Sequence, residues 1–187
     1  LNIERNEMFS QAIHMVESLS PTHDQQVILA KLLSRQGELM MRVGTLPEVF
    51  ALFERTADIQ RAENDLIGLA FSLGHLTLSR HNANQKELAQ KIGNEAIGIA
   101  EQSGDIEAQA IAHLGTAFAY SNTNTPQLVY QHTEKALTLF KTLEQPEGMA
   151  DCHRILGISG RIRGEFDVSA DHFEKCFHYS REINDQF

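Results

Sequence analysis

Histidine is the residue type that first suggests chemistry, since nine of the 187 residues are histidines. A zinc site needs three or four converging ligands, and on a helix such ligands lie three or four residues apart. Two candidate spacings are wider than this: His75 and His81 lie six residues apart, as do His172 and His178. We therefore predict no metal site, and we expect the histidines to face solvent or to cap helices.

Cysteine and the other nucleophiles offer equally little chemistry. Cys152 and Cys176 are too few for a disulfide framework, which is typical of a reducing compartment. A disulfide between them under oxidation stays open as an alternative, but small buried thiols at a tight helix crossing are the preferred interpretation. Nucleophile motifs and glycine-rich phosphate loops are missing. The sequence therefore predicts a protein that is not an enzyme and has no cofactor.

Composition and charge exclude further classes of function. Hydrophobic residues make up 42% and charged residues 22% of the chain, a balance typical of a folded globular protein. The net charge of −9 argues against direct contact with nucleic acid, because phosphate binding requires a basic face. No stretch approaches the roughly 18 uninterrupted apolar residues of a membrane helix. We expect a cytoplasmic protein without membrane contact.

Prolines divide the chain into segments with helical periodicity. Proline is tolerated near a helix start and not in its interior, so Pro21, Pro47, Pro126 and Pro146 mark boundaries. Between them apolar residues recur every three or four positions, without the alternation of a strand. The prediction is an all-α chain of helices at about 3–18, 23–43, 46–62, 65–80, 85–103, 105–121, 126–143, 147–163 and 166–182.

Capping residues support these helix starts. Thr45 followed by Glu48 predicts a capping box, and Asn84 followed by Glu87 predicts a second one with asparagine as the cap. Asp105 is expected to begin the sixth helix. The linkers are short, so successive helices should be antiparallel neighbours.

A repeat of helix pairs is indicated by glycines midway along alternate helices. Gly37, Gly74, Gly115 and Gly157 are 37, 41 and 42 residues apart. A mid-helix glycine costs roughly 1 kcal/mol relative to alanine, so four of them predict close approach of a partner helix. When the pairs are aligned on these glycines, the second helices of the first and fourth pairs match without a gap. The second pair then needs three extra loop residues within 81–86, and the third needs two within 121–126.

The last pair carries a family resemblance. The segment 157–167, with Ser169, Phe173 and Cys176 after it, resembles one copy of the tetratricopeptide repeat. The period is longer than the roughly 34 residues that are usual in the family, and the large aromatic expected before the mid-helix glycine is absent. Such long-period arrays are similar to those of bacterial transcription activators, signal-transduction ATPases and peptide-sensing regulators.

The resemblance implies a right-handed superhelical solenoid of antiparallel helix pairs. One domain would cover residues 1–187, with a leading helix at 3–18 and repeats at about 23–62, 65–103, 105–143 and 147–182. Since the chain begins at Leu1 without methionine, we interpret it as an excised part of a longer protein.

The resemblance also implies a partner-binding groove on the inner face of the first helix of each pair. Carrying the family's ligand-facing positions over gives a set of candidate groove residues: Lys31, Glu38, Arg42, Phe71, His75, Gln109, Tyr120, Asp151, Arg154, Ile158 and Arg161. Four of these are basic and two are acidic, a net charge of +2 opposite in sign to the whole chain. This charge favours an acidic partner, with chance placement as the alternative.

The function predicted from the sequence is a scaffold, within a larger regulatory protein, that binds a protein or peptide or associates with itself as a homodimer. The alternative is a domain that senses a small molecule or a signalling peptide in a transcriptional regulator or ATPase. An enclosed apolar pocket would favour the sensor, and an open polar groove the scaffold.

Overall fold

The structure is a computed structural model that describes residues 2–121, 123 and 125–185. These residues form α-helices joined by short turns, without a strand among them, as the sequence predicts. The helices are α1 (Asn2–Glu17), α2 (His23–Val43), α3 (Leu46–Ala62), α4 (Leu66–Asn82), α5 (Lys86–Ser103), α6 (Ile106–Tyr120), α7 (Pro126–Thr142), α8 (Pro146–Ile162) and α9 (Phe166–Asp185).

Helix starts follow the capping chemistry at two of the predicted positions. The Glu48 carboxylate accepts hydrogen bonds from the Thr45 amide at 2.9 Å and from the Thr45 hydroxyl at 2.8 Å. These bonds hold the pKa of Glu48 below its ordinary value, because they stabilise the charged form. At α6 the Asp105 side chain accepts from the Ala108 amide at 2.8 Å. Both predicted caps are confirmed.

The second predicted capping box is wrong. Asn84 has a φ of 59° and closes the turn after α4, where its amide donates to the His81 carbonyl at 2.8 Å. Gln85, not Asn84, is the residue before α5. Asparagine tolerates this left-handed conformation better than most residues, which is the competing reason for its presence in a turn.

The turns recur at a fixed interval. Left-handed residues stand at Asn64, Asn84, Gly104, Glu144 and Gly164, so their position numbers differ by multiples of twenty. The outer helices α3, α5, α7 and α9 begin at equal intervals, at positions 46, 86, 126 and 166. The structural repeat is therefore a 40-residue helix pair.

This register corrects the glycine alignment made from the sequence. Adding 40 residues to Gly37 leads to Thr77, Ala117 and Gly157, so Gly74 and Gly115 are not its equivalents. The three extra residues expected within 81–86 are not needed. The two expected within 121–126 are not needed either, although Asn122 and Asn124 lie outside the described residues.

The glycines make two different contacts, which explains the misalignment. A Cβ on Gly37 would lie 2.8 Å from the ring of Phe53, and one on Gly157 would lie 2.9 Å from the ring of Phe173. Both glycines make room for a phenylalanine of the second helix in the same pair. By contrast, a Cβ on Gly115 would lie 2.6 Å from the Gly74 carbonyl oxygen, so these two bring α4 and α6 together.

The helix pairs form two layers. Inner helices α2, α4, α6 and α8 contact one another in chain order. The outer helices α3, α5 and α7 each contact the inner helices before and after them, α9 packs on α8, and α1 packs on α2. Phe53 and Phe140, both fully buried, anchor the cores between the layers. The chain is thus a helical solenoid of antiparallel pairs. None of the helices in the described residues combines the length and apolar character that crossing a membrane requires.

Candidate functional site

A groove follows the concave side of the solenoid. It has a volume of about 1170 Å³ and is lined by α1, α2, α4, α6, the turn into α8 and the first turns of α8, with Phe140 of α7 and Ile183 of α9. This groove is the candidate binding site and is called the concave groove below.

The floor of the concave groove is apolar. Met41, Phe71, Leu78, Ile111 and Leu114 contribute aliphatic or aromatic surface from three successive inner helices. The close α4–α6 contact described above keeps the side chains of these two helices next to each other.

The rim of the concave groove is charged and mostly acidic. The groove-lining residues include five carboxylates and three guanidinium groups, a net charge of −2: Glu38, Glu107, Glu144, Glu147, Asp151, Arg5, Arg35 and Arg42. Arg35 pairs with Glu38 at 3.0 Å, and burial raises the pKa of the Glu38 carboxyl. The negative rim is opposite in sign to the +2 expected from the carried-over positions.

One ion pair crosses the concave groove. The Arg42 guanidinium at the end of α2 lies 2.5 Å from the Glu147 carboxylate at the start of α8. The two helices belong to the first and the fourth pair, and they do not pack on each other. The side chains of Arg42 and Glu147 are 69% and 65% exposed, so water screens the pair and its contribution to stability is small.

His75 lies on the groove floor as a neutral ring. It stacks on Phe53 with centroids 5.4 Å apart and meets Phe71 edge-on at 4.6 Å. Burial, with the nearby charge of Arg35, lowers the pKa of His75 to about 4. Its Nε2 is shielded from solvent and has no hydrogen-bond partner among the described residues.

The structure brings five of the eleven predicted residues into the concave groove: Glu38, Arg42, Phe71, His75 and Asp151. Gln109 lines a separate depression of about 810 Å³ between α6 and α7. The others line neither cavity. These are Lys31, Tyr120, Arg154, Ile158 and Arg161.

The 40-residue register explains these placements. In the second pair the glycine alignment was off by three residues, nearly one helical turn, so Phe71 and His75 stay on the inner face. In the third pair the alignment was off by two residues, which corresponds to a rotation of about 200° around the helix. The residues predicted for that pair therefore lie on the opposite face of α6. Ile111 and Leu114 therefore line the groove where Gln109 and Tyr120 were expected. In the fourth pair only the first turns of α8 reach the groove.

Sequence reasoning missed two histidine pairs. His113 Nδ1 lies 3.1 Å from His132 Nδ1, and His153 Nδ1 lies 3.1 Å from His172 Nδ1. In each pair the residues are 19 apart, and the second pair follows the first by 40 residues. That repeated spacing is visible in the sequence, but the sequence analysis compared only histidines separated by six residues or fewer. No group of three potential metal ligands converges among the described residues.

Burial keeps these imidazoles neutral. Desolvation, with the neighbouring His132 and Lys135, lowers the pKa of His113 to about 4. Desolvation, with His172 and Lys175 among the nearby charges, likewise lowers the pKa of His153 to about 4. At neutral pH each pair therefore shares one N–H···N hydrogen bond in which one ring donates and the other accepts.

Comparison with known proteins supports the fold alone. No protein-family model and no curated protein matches the chain. The crystal structure of BtubC (BKLC) from P. vanneervenii is similar, with a TM-score of 0.70 over 98% of this chain and 74% of that chain. Only 14% of the aligned residues are identical. At that identity the likeness concerns the helical architecture and not the function.

Proposed function

We propose that this chain is a binding scaffold that holds a protein or peptide segment in the concave groove. The observation that carries this proposal is the groove itself: an apolar floor built by three inner helices beneath a charged rim. Rigid helices that are already ordered lose little entropy on binding, so more of the contact energy remains as affinity. No residue of the groove is assigned a catalytic role.

The size of the groove favours a peptide over a small molecule. Pockets for small ligands typically hold about 300–1,000 Å³, and the concave groove exceeds this range at about 1170 Å³. It also extends across α2, α4 and α6, so a bound segment could place apolar side chains on the floor at several positions.

The charge of the rim favours a segment with basic residues. Five carboxylates against three guanidinium groups give a negative surface, and complementary charge steers association and selects partners. The acidic partner considered from the sequence rested on four basic residues, and three of them, Lys31, Arg154 and Arg161, lie outside the groove. The proposed partner is therefore a segment that combines apolar side chains with lysine or arginine.

Selection from a random peptide display library on the immobilised protein tests this proposal. We expect enriched peptides to carry apolar and basic residues. E107K/E144K, which reverses two rim charges, should lower the affinity for an enriched peptide by about tenfold or more, a loss of about 1.4 kcal/mol or more in binding free energy. Calorimetry at moderate salt measures the change.

E87K/E174K is the matched control. Glu107 and Glu87 both lie in the first turn of a helix, so the two variants carry a similar helix-dipole cost. Glu87 and Glu174 lie on outer helices, and binding should be unchanged. Enrichment of acidic peptides that R154E/R161E weakens would contradict the proposal and locate binding at the positions implied by the family resemblance.

A second candidate function is the sensing of an effector, and the Arg42–Glu147 pair is the observation that favours it. This pair joins the first and fourth helix pairs across the groove, so a ligand that displaces it could change the curvature of the solenoid. Spin labels on α2 and α8 would measure the distance between these helices. A distance that shifts when an enriched peptide binds supports sensing, whereas an unchanged distance supports the passive scaffold.

We further propose a relation to the tetratricopeptide repeat family, in a cytoplasmic regulatory protein. The constant 40-residue helix pair supports it, although the period exceeds that of the family. Self-association remains an alternative use of the scaffold. Apolar side chains on the last pair favour it, since Phe166 and Phe177 are 70% and 64% exposed.

A further inference from the structure

The last outer helix exposes a face that the earlier outer helices bury. An inner helix follows and packs on each of α3, α5 and α7, whereas among the described residues α9 packs only on α8. In steps of 40 residues, Phe53 of α3 corresponds to Phe173 of α9, and Ala57 corresponds to Phe177. Phe53 and Ala57 are 0% and 1% exposed, but Phe173 and Phe177 are 38% and 64% exposed.

Contacts in the earlier repeats show how this face is used. At the position of Ala170 in α9, α3 has Phe50 and α7 has Tyr130. The Arg80 guanidinium of α4 lies 3.9 Å from the centre of the Phe50 ring, and that of Arg163, just after α8, lies 4.5 Å from the centre of the Tyr130 ring. In both repeats the following inner helix or its last residue covers the face, so the same face of α9 is a packing surface without its cover.

This face of α9 is an apolar stripe, called the α9 stripe below. It consists of Phe166, Ala170, Phe173 and Phe177, which are all exposed and lie within about 60° of one another around the helix. Terminal repeats of a solenoid need a polar outer face to remain soluble. Three phenylalanines do not provide one, and the stripe therefore calls for a partner.

We propose that the α9 stripe is the interface of a homodimer, in which two copies pack their α9 helices antiparallel about a twofold axis. The residues of the stripe are 4, 3 and 4 positions apart, a spacing that is the same in both directions. A twofold axis between Ala170 and Phe173 brings Phe166 of each copy to the level of Phe177 of its partner, and Phe173 to the level of Ala170. Large side chains then face small ones at the centre, and the surface is complementary to itself.

The area of the stripe is sufficient for a reversible dimer. Taking about 200 Å² for a fully exposed phenylalanine, the three rings expose roughly 350 Å² in each copy. Ile162, which is 57% exposed at the end of α8, adds apolar surface beside the first turn of α9. A twofold contact buries each of these areas twice, so with the flanking side chains the total approaches the roughly 1,000 Å² of a specific interface.

Charges beside the stripe oppose association and predict the effect of salt. Asp167 and Glu174 are exposed and lie on the same flank of the stripe, seven residues apart. The twofold arrangement sets this flank against the same flank of the partner, so carboxylates approach carboxylates. Because salt screens such repulsion, the dimer should tighten as the salt concentration rises.

Sedimentation equilibrium of this chain at concentrations up to millimolar tests the proposal. We expect a monomer–dimer equilibrium that tightens with salt. F166E/F177E changes the two most exposed rings of the stripe and should weaken the dimer by about a hundredfold or more, because a few apolar anchors dominate an interface. L88E/V168E is the matched control, since Leu88 and Val168 are 41% and 43% exposed, occupy equivalent positions of α5 and α9, and lie off the stripe. The control should leave the dimer unchanged.

Ala170→Gln is a second variant, which removes no large apolar side chain. Gln90 occupies the equivalent position of α5, so glutamine is compatible with the folded monomer. In the dimer it would lie at the level of Phe173 of the partner, and this overpacking should weaken association by about tenfold or more.

A chain that stays monomeric up to millimolar concentration would overturn the proposal and assign the stripe to a helix of another protein. A dimer that neither F166E/F177E nor Ala170→Gln weakens would overturn it as well. The residues of the stripe do not line the concave groove. Peptide binding should therefore be the same for F166E/F177E and the unmodified chain, and the two proposals can fail independently.

Discussion

Individual histidines couple the stability of this protein to pH. His75, His113 and His153 each have a pKa near 4 in the folded chain, chiefly because burial disfavours the charged ring. The ordinary value in an unfolded chain is 6.5. Between these two values the unfolded chain binds more protons than the folded one.

The free energy of unfolding should therefore be unaffected by these histidines above about pH 6.5. It should decrease as the pH falls from there towards 4. The free energy of unfolding decreases by at most about 1.4 kcal/mol per pH unit for each such proton. Urea denaturation across this range measures it. Lys135, Lys175, Lys141 and Asp171 are the charged groups near the two pairs, and their contributions are smaller than that of burial.

H113L/H132I should flatten this pH dependence, because the variant removes one pair that must charge in acid. His14→Gln on exposed α1 serves as the control and should retain the dependence of the unmodified chain. If H113L/H132I loses stability between pH 6.5 and 4 as steeply as the unmodified chain, the buried pair is not the source.

At the scale of helices, the contact between α4 and α6 depends on two glycines. A Cβ at Gly115 would lie 2.6 Å from the Gly74 carbonyl oxygen, a backbone atom that can move only with its helix. We expect Gly115→Ala to lower the free energy of unfolding by about 1–3 kcal/mol, the usual cost of overpacking. Urea denaturation is the measurement.

Gly98→Ala, on the neighbouring α5, should have the opposite effect and raise the free energy of unfolding. A Cβ there would meet nothing within 4 Å, so the gain in helix propensity of up to about 1 kcal/mol should appear. If the two alanine variants were equally stable, the close approach of α4 and α6 would be disproved as the reason for Gly115.

The helices could be predicted from the sequence because their boundary signals are local. Proline at positions 47, 126 and 146, and caps at Thr45 and Asp105, act within a single turn, and α3 and α7 begin where predicted. The repeat register was harder to predict, because a mid-helix glycine can have either of two reasons. It makes room for a phenylalanine of its own pair, as at Gly37, or for the backbone of a neighbouring helix, as at Gly115.

The prediction of the groove residues depended on the same glycine alignment. Glu38 and Asp151 belong to correctly aligned pairs and line the groove. Alignment alone does not decide this, because Lys31 and Arg154 of the same pairs line neither cavity. In the third pair the misalignment selected residues of the outer face. Contributions from α1, such as Phe9, depend on how the solenoid curves, which no local pattern specifies. The histidine pairs could have been found, since their 19-residue spacing occurs twice, 40 residues apart.

For the whole molecule, each helix pair is stabilised by its neighbours. Phe140 is 1% exposed, and its ring packs against Gly148 at the start of α8. Deleting residues 147–187 would uncover this surface. We expect the shortened chain to melt at a lower temperature, less cooperatively, and to be less soluble. Calorimetry that shows the same sharp transition at the same temperature would contradict a solenoid held together by neighbouring pairs.

The central claim is that the concave groove binds a peptide segment, and methyl NMR tests it most directly. A peptide enriched by display selection is titrated into the protein while the methyl resonances are followed. The account predicts the largest shifts at Met41, Leu78 and Ile111 on the groove floor. Leu88 and Val168, exposed on the outer helices, should hardly shift. Largest shifts at Leu88 or Val168, with the groove methyls unchanged, would contradict it.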